Sequence, residues 1–220
     1  MLPEAIILGP LIIKATLVVT IIGLFGGALF LYLTSPLDQE KKKIHMNKVV
    51  DGFLYLMIFI IVAKIILNMP LFFEDPVAVL AYPSNSTALY LALAMTIGVM
   101  VVSKQKKVML SGDFIDSLAR FIVGSQFIQL FFTLILTTYK VSIYQLGFLF
   151  ITLLALLFIS PASQKQLFGL LILYGVGLFS LSFIDFMPFF GFYVHGLFYL
   201  TFSLLGSLFI FLSQKKQESR

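Results

Sequence analysis

AIILGPLIIKATLVVTIIGLFGGALFLYL, Ala5 to Leu33, holds a single charge, Lys14, and is followed at once by TSPLDQEKKKIHMNK, Thr34 to Lys48, with three lysines in a row. A helix needs about 20 apolar residues to cross ~30 Å of hydrocarbon, and this run exceeds that. It predicts a permanent first span, tilted or reaching past the interface. A cleavable leader is not expected, because no basic segment precedes the run and the run is too long for one. The same alternation of apolar stretches and short polar connections continues along the chain. It predicts further spans at about 49–69, 87–103, 114–137, 143–159, 167–184 and 192–212, forming one helical domain over residues 1–220.

The connections set the orientation. Those after spans one, three and five, with the tail, hold Lys41, Lys42, Lys43, Lys48, Lys104, Lys106, Lys107, Lys165, Lys215, Lys216 and Arg220. Those after spans two, four and six hold Lys140 alone. Basic residues accumulate on cytoplasmic loops. The expected fold is therefore an all-α polytopic membrane protein with seven transmembrane helices, N-terminus outside and C-terminus cytoplasmic.

Composition agrees. Of the 220 residues, 60% are hydrophobic and only 11% are charged, whereas a soluble domain carries about a quarter. Such a chain cannot cover a water-facing surface, so its solvent is lipid. The net charge of +5 lies in loop clusters, so no nucleic-acid partner is expected. The absence of cysteine excludes disulfides and thiolate metal sites. The two histidines, His45 and His195, stand in different segments without metal-ligand spacing, so no metal and no cofactor are expected. His45, among lysines, is expected to be solvated.

Several polar residues fall inside the spans. Lys14 lies nine residues into the first, roughly 13 Å deep, and Lys64 lies five residues before the outer end of the second, roughly 8 Å deep. A lysine there either snorkels to the headgroups or lines a polar site. In the second case the pair would hold an anion in the outer half of the bundle, most simply a phospholipid phosphate. Gln126 and Gln129 in span four, with Tyr144 and Gln145 at the start of span five, complete a candidate polar cluster. Such side chains also bond helix to helix in lipid, the alternative reading. Tyr174 and His195 are weaker candidates, and Asp185 reads as an interfacial anchor. Asp116 and Arg120, four apart, share one helix face. Gly23, Gly26, Gly27, Gly169, Gly175 and Gly177 would let backbones approach closely. No nucleophile–base pair or phosphate loop is present at a recognisable spacing, and the catalytic residues are unknown.

Read in order, these segments resemble prolipoprotein diacylglyceryl transferase, the seven-span bacterial enzyme that moves diacylglycerol from phosphatidylglycerol to a lipoprotein cysteine. KQLFGLLILYGVGLFSLSF, Lys165 to Phe183, is similar to that family's Gly-Gln-Leu-Phe span followed by Leu-Tyr-Gly-x-x-Arg-Phe. IYQLGFLFITLLALLFI resembles its Gln-Leu-Tyr-Glu span, and FIDSLARFIVGSQF its Asp-x-x-Ala-Pro…Leu-Gly-Gln segment. GPLIIKATL and FIIVAKIILNMPLFFEDP match its first two spans, with Lys14 and Lys64 in place of arginines.

The departures fall on chemistry. YPSNSTALYLA has no histidine where the family has His-Gly-Gly, and FIQLFFTLIL follows Gln126 where the family has Arg-x-Gly-Asn and Asn-Gly-Glu. Leu178 replaces the late arginine. The resemblance thus implies a non-catalytic relative in the bacterial cytoplasmic membrane, a pseudoenzyme that binds a phospholipid such as phosphatidylglycerol, or a lipoprotein or other membrane protein. Lys14, Lys64, Gln126 and Tyr144 would hold the lipid phosphate. The alternatives are a lipid enzyme of altered chemistry, drawing its acid or base from His195, Asp185 or Tyr174, and a membrane interaction or transport protein.

Overall fold

The computed structural model describes residues 5–8, 11–81, 85–102, 111–158 and 164–218. They form nine helices: α1 Ala15–Thr34, α2 Gln39–Leu67, α3 Met69–Glu74, α4 Pro76–Ala81, α5 Ser86–Val102, α6 Gly112–Leu136, α7 Ile143–Phe158, α8 Gln164–Leu181 and α9 Leu197–Glu218. Two antiparallel hairpins complete them, β1 Ala5–Leu8 with β2 Leu11–Lys14 and β3 Pro188–Phe189 with β4 Phe192–Tyr193. Among the described residues, α1, α2 and α6 are long and apolar enough to cross a membrane.

Many of the helices' large apolar side chains lie outside. In α1 only Ala15, Val19, Gly23, Gly27 and Leu31 are buried, a stripe at every fourth residue, while Leu17, Phe25, Leu29 and Leu33 are exposed. A helix apolar all round with one narrow contact stripe suits lipid and not water. That stripe packs antiparallel against α6. A Cβ added at Gly23 would lie 2.8 Å from the Ser125 carbonyl oxygen, and one at Gly27 would lie 2.7 Å from that of Phe121. Backbones this close are the mode of association of small residues four apart in lipid.

Helix α6 is the hub, touching α1, α2, α7, α8 and α9. Its start is fixed by Ser111, whose hydroxyl accepts from the Phe114 N–H at 3.2 Å, a helix N-cap. Its buried residues run around the cylinder, from Phe114 and Ile115 to Gln129 and Leu130. The α8–α9 pair repeats the close approach, with Gly175 against Ser203 and the Tyr199 carbonyl, and Gly196 against Ser182.

Three expectations need correction. The first helix begins at Ala15, not Ala5. Residues 5–8 and 11–14 pair as strands in the register Ala5↔Lys14 to Leu8↔Leu11. Isoleucine-rich runs on either side of Gly9-Pro10 favour a hairpin, since proline would break a helix there. The second helix begins at Gln39, so the lysine-rich segment is its first turns rather than a loop. His45 therefore sits on a helix face, where it is buried with its ring 6.3 Å from that of Phe114, not solvated.

The chain departs furthest from expectation at residues 182–196. Hydropathy predicts a short outer loop there and the start of span seven. Instead α8 stops at Leu181, and β3–β4 fold back into the bundle before α9 starts at Leu197. Met187 and Phe189 are each 3% exposed. Phe190 meets Phe53, midway along α2, at 5.8 Å between ring centroids. The turn uses positive φ at Phe190 (49°) and Gly191 (86°). Pro188 lacks an N–H and Gly191 tolerates the left-handed region, which is why FMPFFGFYVHG bends where an uninterrupted apolar run would coil.

Candidate functional site

Non-helical backbone folded into a helical bundle needs partners there for its buried polar groups. The β3–β4 hairpin shows how. The Gln145 amide donates to the Pro188 carbonyl at 3.0 Å, and the Tyr199 hydroxyl to the Met187 carbonyl at 2.9 Å. The Gln129 side chain approaches Gly191. At the exit of the hairpin the His195 N–H donates to the Tyr90 hydroxyl at 3.0 Å. Helices α5, α7 and α9 thus contribute one polar side chain each to hold one loop.

A second polar layer lies deeper. The Tyr174 hydroxyl of α8 donates to Gln126 Oε1 of α6 at 2.6 Å, both side chains being buried. Gln126 Nε2 and Gln145 Oε1 have no hydrogen-bond partner among the described residues. Gln129 Nε2 donates to the Thr20 hydroxyl of α1 at 2.8 Å. In a third layer, toward the end of α1, Arg120 Nε donates to Asp116 Oδ2 at 2.8 Å, and its Nη1 donates to the Thr34 carbonyl at 3.2 Å. The buried guanidinium neutralises the carboxylate one turn earlier and caps the negative end of α1. That pair is occupied with structure.

The expected cluster is only partly assembled. Gln126 and Tyr174 are joined directly. Gln129 and Gln145 are buried, Gln129 joining α6 to α1 and Gln145 joining α7 to the hairpin. Tyr144 is 60% exposed, beside Gln145 in sequence but turned away from it. Lys14 is not nine residues inside a helix. It is the exposed N-cap of α1 at the end of β2, so the depth expected for it does not hold. Lys64 Nζ donates to the Leu80 carbonyl at 2.8 Å, securing the last turn of α4. Asp185 is in the turn after α8, where Oδ1 accepts from the Phe186 N–H at 2.8 Å.

The sequence does not point to the space between α5 and α9. A cavity of about 480 Å³ is lined by Tyr90, Leu93, Ala94 and Ile97 of α5 and by His195, Phe198, Thr201, Phe202 and Leu205. A second cavity, of about 150 Å³, continues from Ile97, Phe202 and Leu205 down to Met100, Phe114, Tyr174 and Gly206. The shared residues make one furrow in the bundle wall. Its few polar groups are already engaged, Thr201 with the Phe198 carbonyl, Ser203 with the Leu171 carbonyl and Tyr174 with Gln126. Tyr90 stacks on Phe198 at 5.6 Å and so defines one end.

No family model, no curated protein and no solved structure matches the chain.

Proposed function

We propose that this chain is a seven-span protein of the bacterial cytoplasmic membrane that binds a phospholipid, such as phosphatidylglycerol, and does not transform it. The seven helices α1, α2, α5, α6, α7, α8 and α9 fall on the seven apolar runs, which supports the span count. The lysine asymmetry of the connections supports an outer N-terminus and a cytoplasmic C-terminus. The order of motifs supports descent from the diacylglyceryl transferase family.

The observation that carries lipid binding is the furrow. It is a laterally placed, almost wholly apolar groove in a bundle whose outer face is itself apolar, so lipid is the molecule that meets it. Loss of the family reaction rests on the missing histidine and arginine positions, Leu178 above all. It is supported by the Asp116–Arg120 pair, which leaves neither group free to hold phosphate or move a proton.

Native mass spectrometry of the protein purified in mild detergent tests the binding. One retained anionic phospholipid per chain is the expected result, and a protein stripped of all lipid under conditions that keep it monodisperse would overturn the reading. Complementation of a strain lacking the transferase tests the second half. Restored lipoprotein modification would show that chemistry survives.

A further inference from the structure

We infer that the α5–α9 furrow is the track of one acyl chain, and that Tyr90 and His195 at its mouth hold an ester or phosphate oxygen of a glycerophospholipid from the outer leaflet. This rests on the lipid-binding reading above and gives it a different place from the lysines.

Length decides between a chain and a helix. From Tyr90 to Val101 the furrow follows α5 for eleven residues, about 16 Å at 1.5 Å per residue. That is about half of a ~30 Å hydrocarbon core, the depth of one leaflet. A transmembrane partner would run the full thickness and present a body ~10 Å wide, far too large for the inner cavity of about 150 Å³. A single hydrocarbon chain fits both limits.

The chemistry of the walls agrees. Every hydroxyl along the track, Thr201, Ser203 and Tyr174, already donates within the bundle, so the track asks nothing of its occupant except shape. The mouth is different. The Leu197 N–H donates to His195 Nδ1 at 3.3 Å, which leaves the proton of the neutral ring on Nε2. The Tyr90 hydroxyl accepts the His195 N–H and keeps its own proton to give. No further hydrogen bond engages either group among the described residues. Two donors at the top of an apolar track match an oxygen acceptor at the top of a hydrocarbon chain. A hydrocarbon chain gains little by leaving the bilayer, which is equally apolar. Retention therefore depends on the mouth.

The test uses the full chain reconstituted in vesicles of phosphatidylglycerol and phosphatidylethanolamine. A trace of phosphatidylglycerol carries a diazirine at the end of one chain. Illumination is expected to label peptides of α5, α6, α8 and α9, which line the inner end of the track, and excess unlabelled phospholipid should suppress the label. His195→Ala should lower retained lipid roughly tenfold, the scale of one hydrogen bond to a charged group. Ala94→Phe, which fills the track, should abolish labelling of α9 while the protein stays monodisperse. Lys14→Gln/Lys64→Gln should leave both readouts unchanged.

Labels spread evenly over α1 and α2, or full labelling in Ala94→Phe, would overturn the inference. Loss of lipid in the lysine variant alone would overturn it too, yet leave the lipid-binding reading standing. Competition by free fatty acid but not by phospholipid would overturn the assigned ligand class. A wild type that retains no lipid and shows no suppressible label would remove both readings.

Discussion

Gly27→Ala is the sharpest perturbation the bundle offers, because the added carbon meets backbone and not a side chain that could swing away. Its Cβ would lie 2.7 Å from both the Phe121 carbonyl oxygen and the Ser125 nitrogen, and closer still to Ser125 Oγ. Overpacking in a rigid core costs about 1–3 kcal/mol, and contact with two backbone atoms places this case near the top. Alanine in a helix interior recovers about 1 kcal/mol relative to glycine. The net is a loss of about 2 kcal/mol. At roughly 2–4 °C per kcal/mol for a chain of this size, Tm should fall by about 4–8 °C. Gly98 and Gly169 supply the control. Nothing stands within 4 Å of a Cβ at either position, so alanine there should hold or raise Tm. Circular dichroism melts in one detergent, with the three variants side by side, make the comparison. Adding Ser125→Ala to Gly27→Ala should recover little, since the two backbone contacts remain. A Gly27→Ala protein that melts with or above wild type would mean that α1 and α6 are not in backbone contact there.

Arg120→Leu should cost about 3–5 kcal/mol, because it strands a buried carboxylate, and Asp116→Leu/Arg120→Leu should regain most of that loss in a double-mutant melt series. Tyr174→Phe should lose about 1 kcal/mol, the scale of an interhelical hydrogen bond in lipid, without changing bound phospholipid. Gln145→Leu should release the Pro188 carbonyl and raise hydrogen exchange in residues 186–196 while α1 and α6 stay protected; unchanged exchange there would mean that Gln145 does not hold the hairpin.

Much of this architecture is legible in the amino-acid sequence. The Asp116–Arg120 spacing implies a shared face, and the fold closes it into an ion pair. The glycines of α1 imply close packing, and Gly23 and Gly27 supply it. Helix existence follows from apolar runs because lipid leaves the chain few other choices. The features that escape such a reading do so for identifiable reasons. An apolar run does not say whether its first ten residues coil or pair, and its length masks the turn signal of Gly9-Pro10. The charged neighbours of His45 suggest water, although a helix turns about one residue in four inward whatever its neighbours are. The hairpin 188–193 is invisible to hydropathy because it is as apolar as a span. Only Pro188 and Gly191, three apart, mark it. The lysines stand out as charges in apolar runs, and the fold puts Lys14 at the start of α1 and Lys64 against the Leu80 carbonyl. The furrow is a property of the distance between two helices, which no single segment encodes.

The hairpin between α8 and α9 also has a consequence for biogenesis. A chain emerging from the ribosome presents α1 through α7 before Pro188 exists. During that interval the Gln145 amide has no carbonyl to meet, and Gln126 has no Tyr174. Gln145 Nε2 then lacks its acceptor and Gln126 Oε1 its donor, and polar groups buried among apolar side chains without partners are costly. The half-made bundle therefore leaves two more polar atoms unmet than the finished one, until α8 supplies the Tyr174 hydroxyl and the loop before α9 supplies the Pro188 carbonyl.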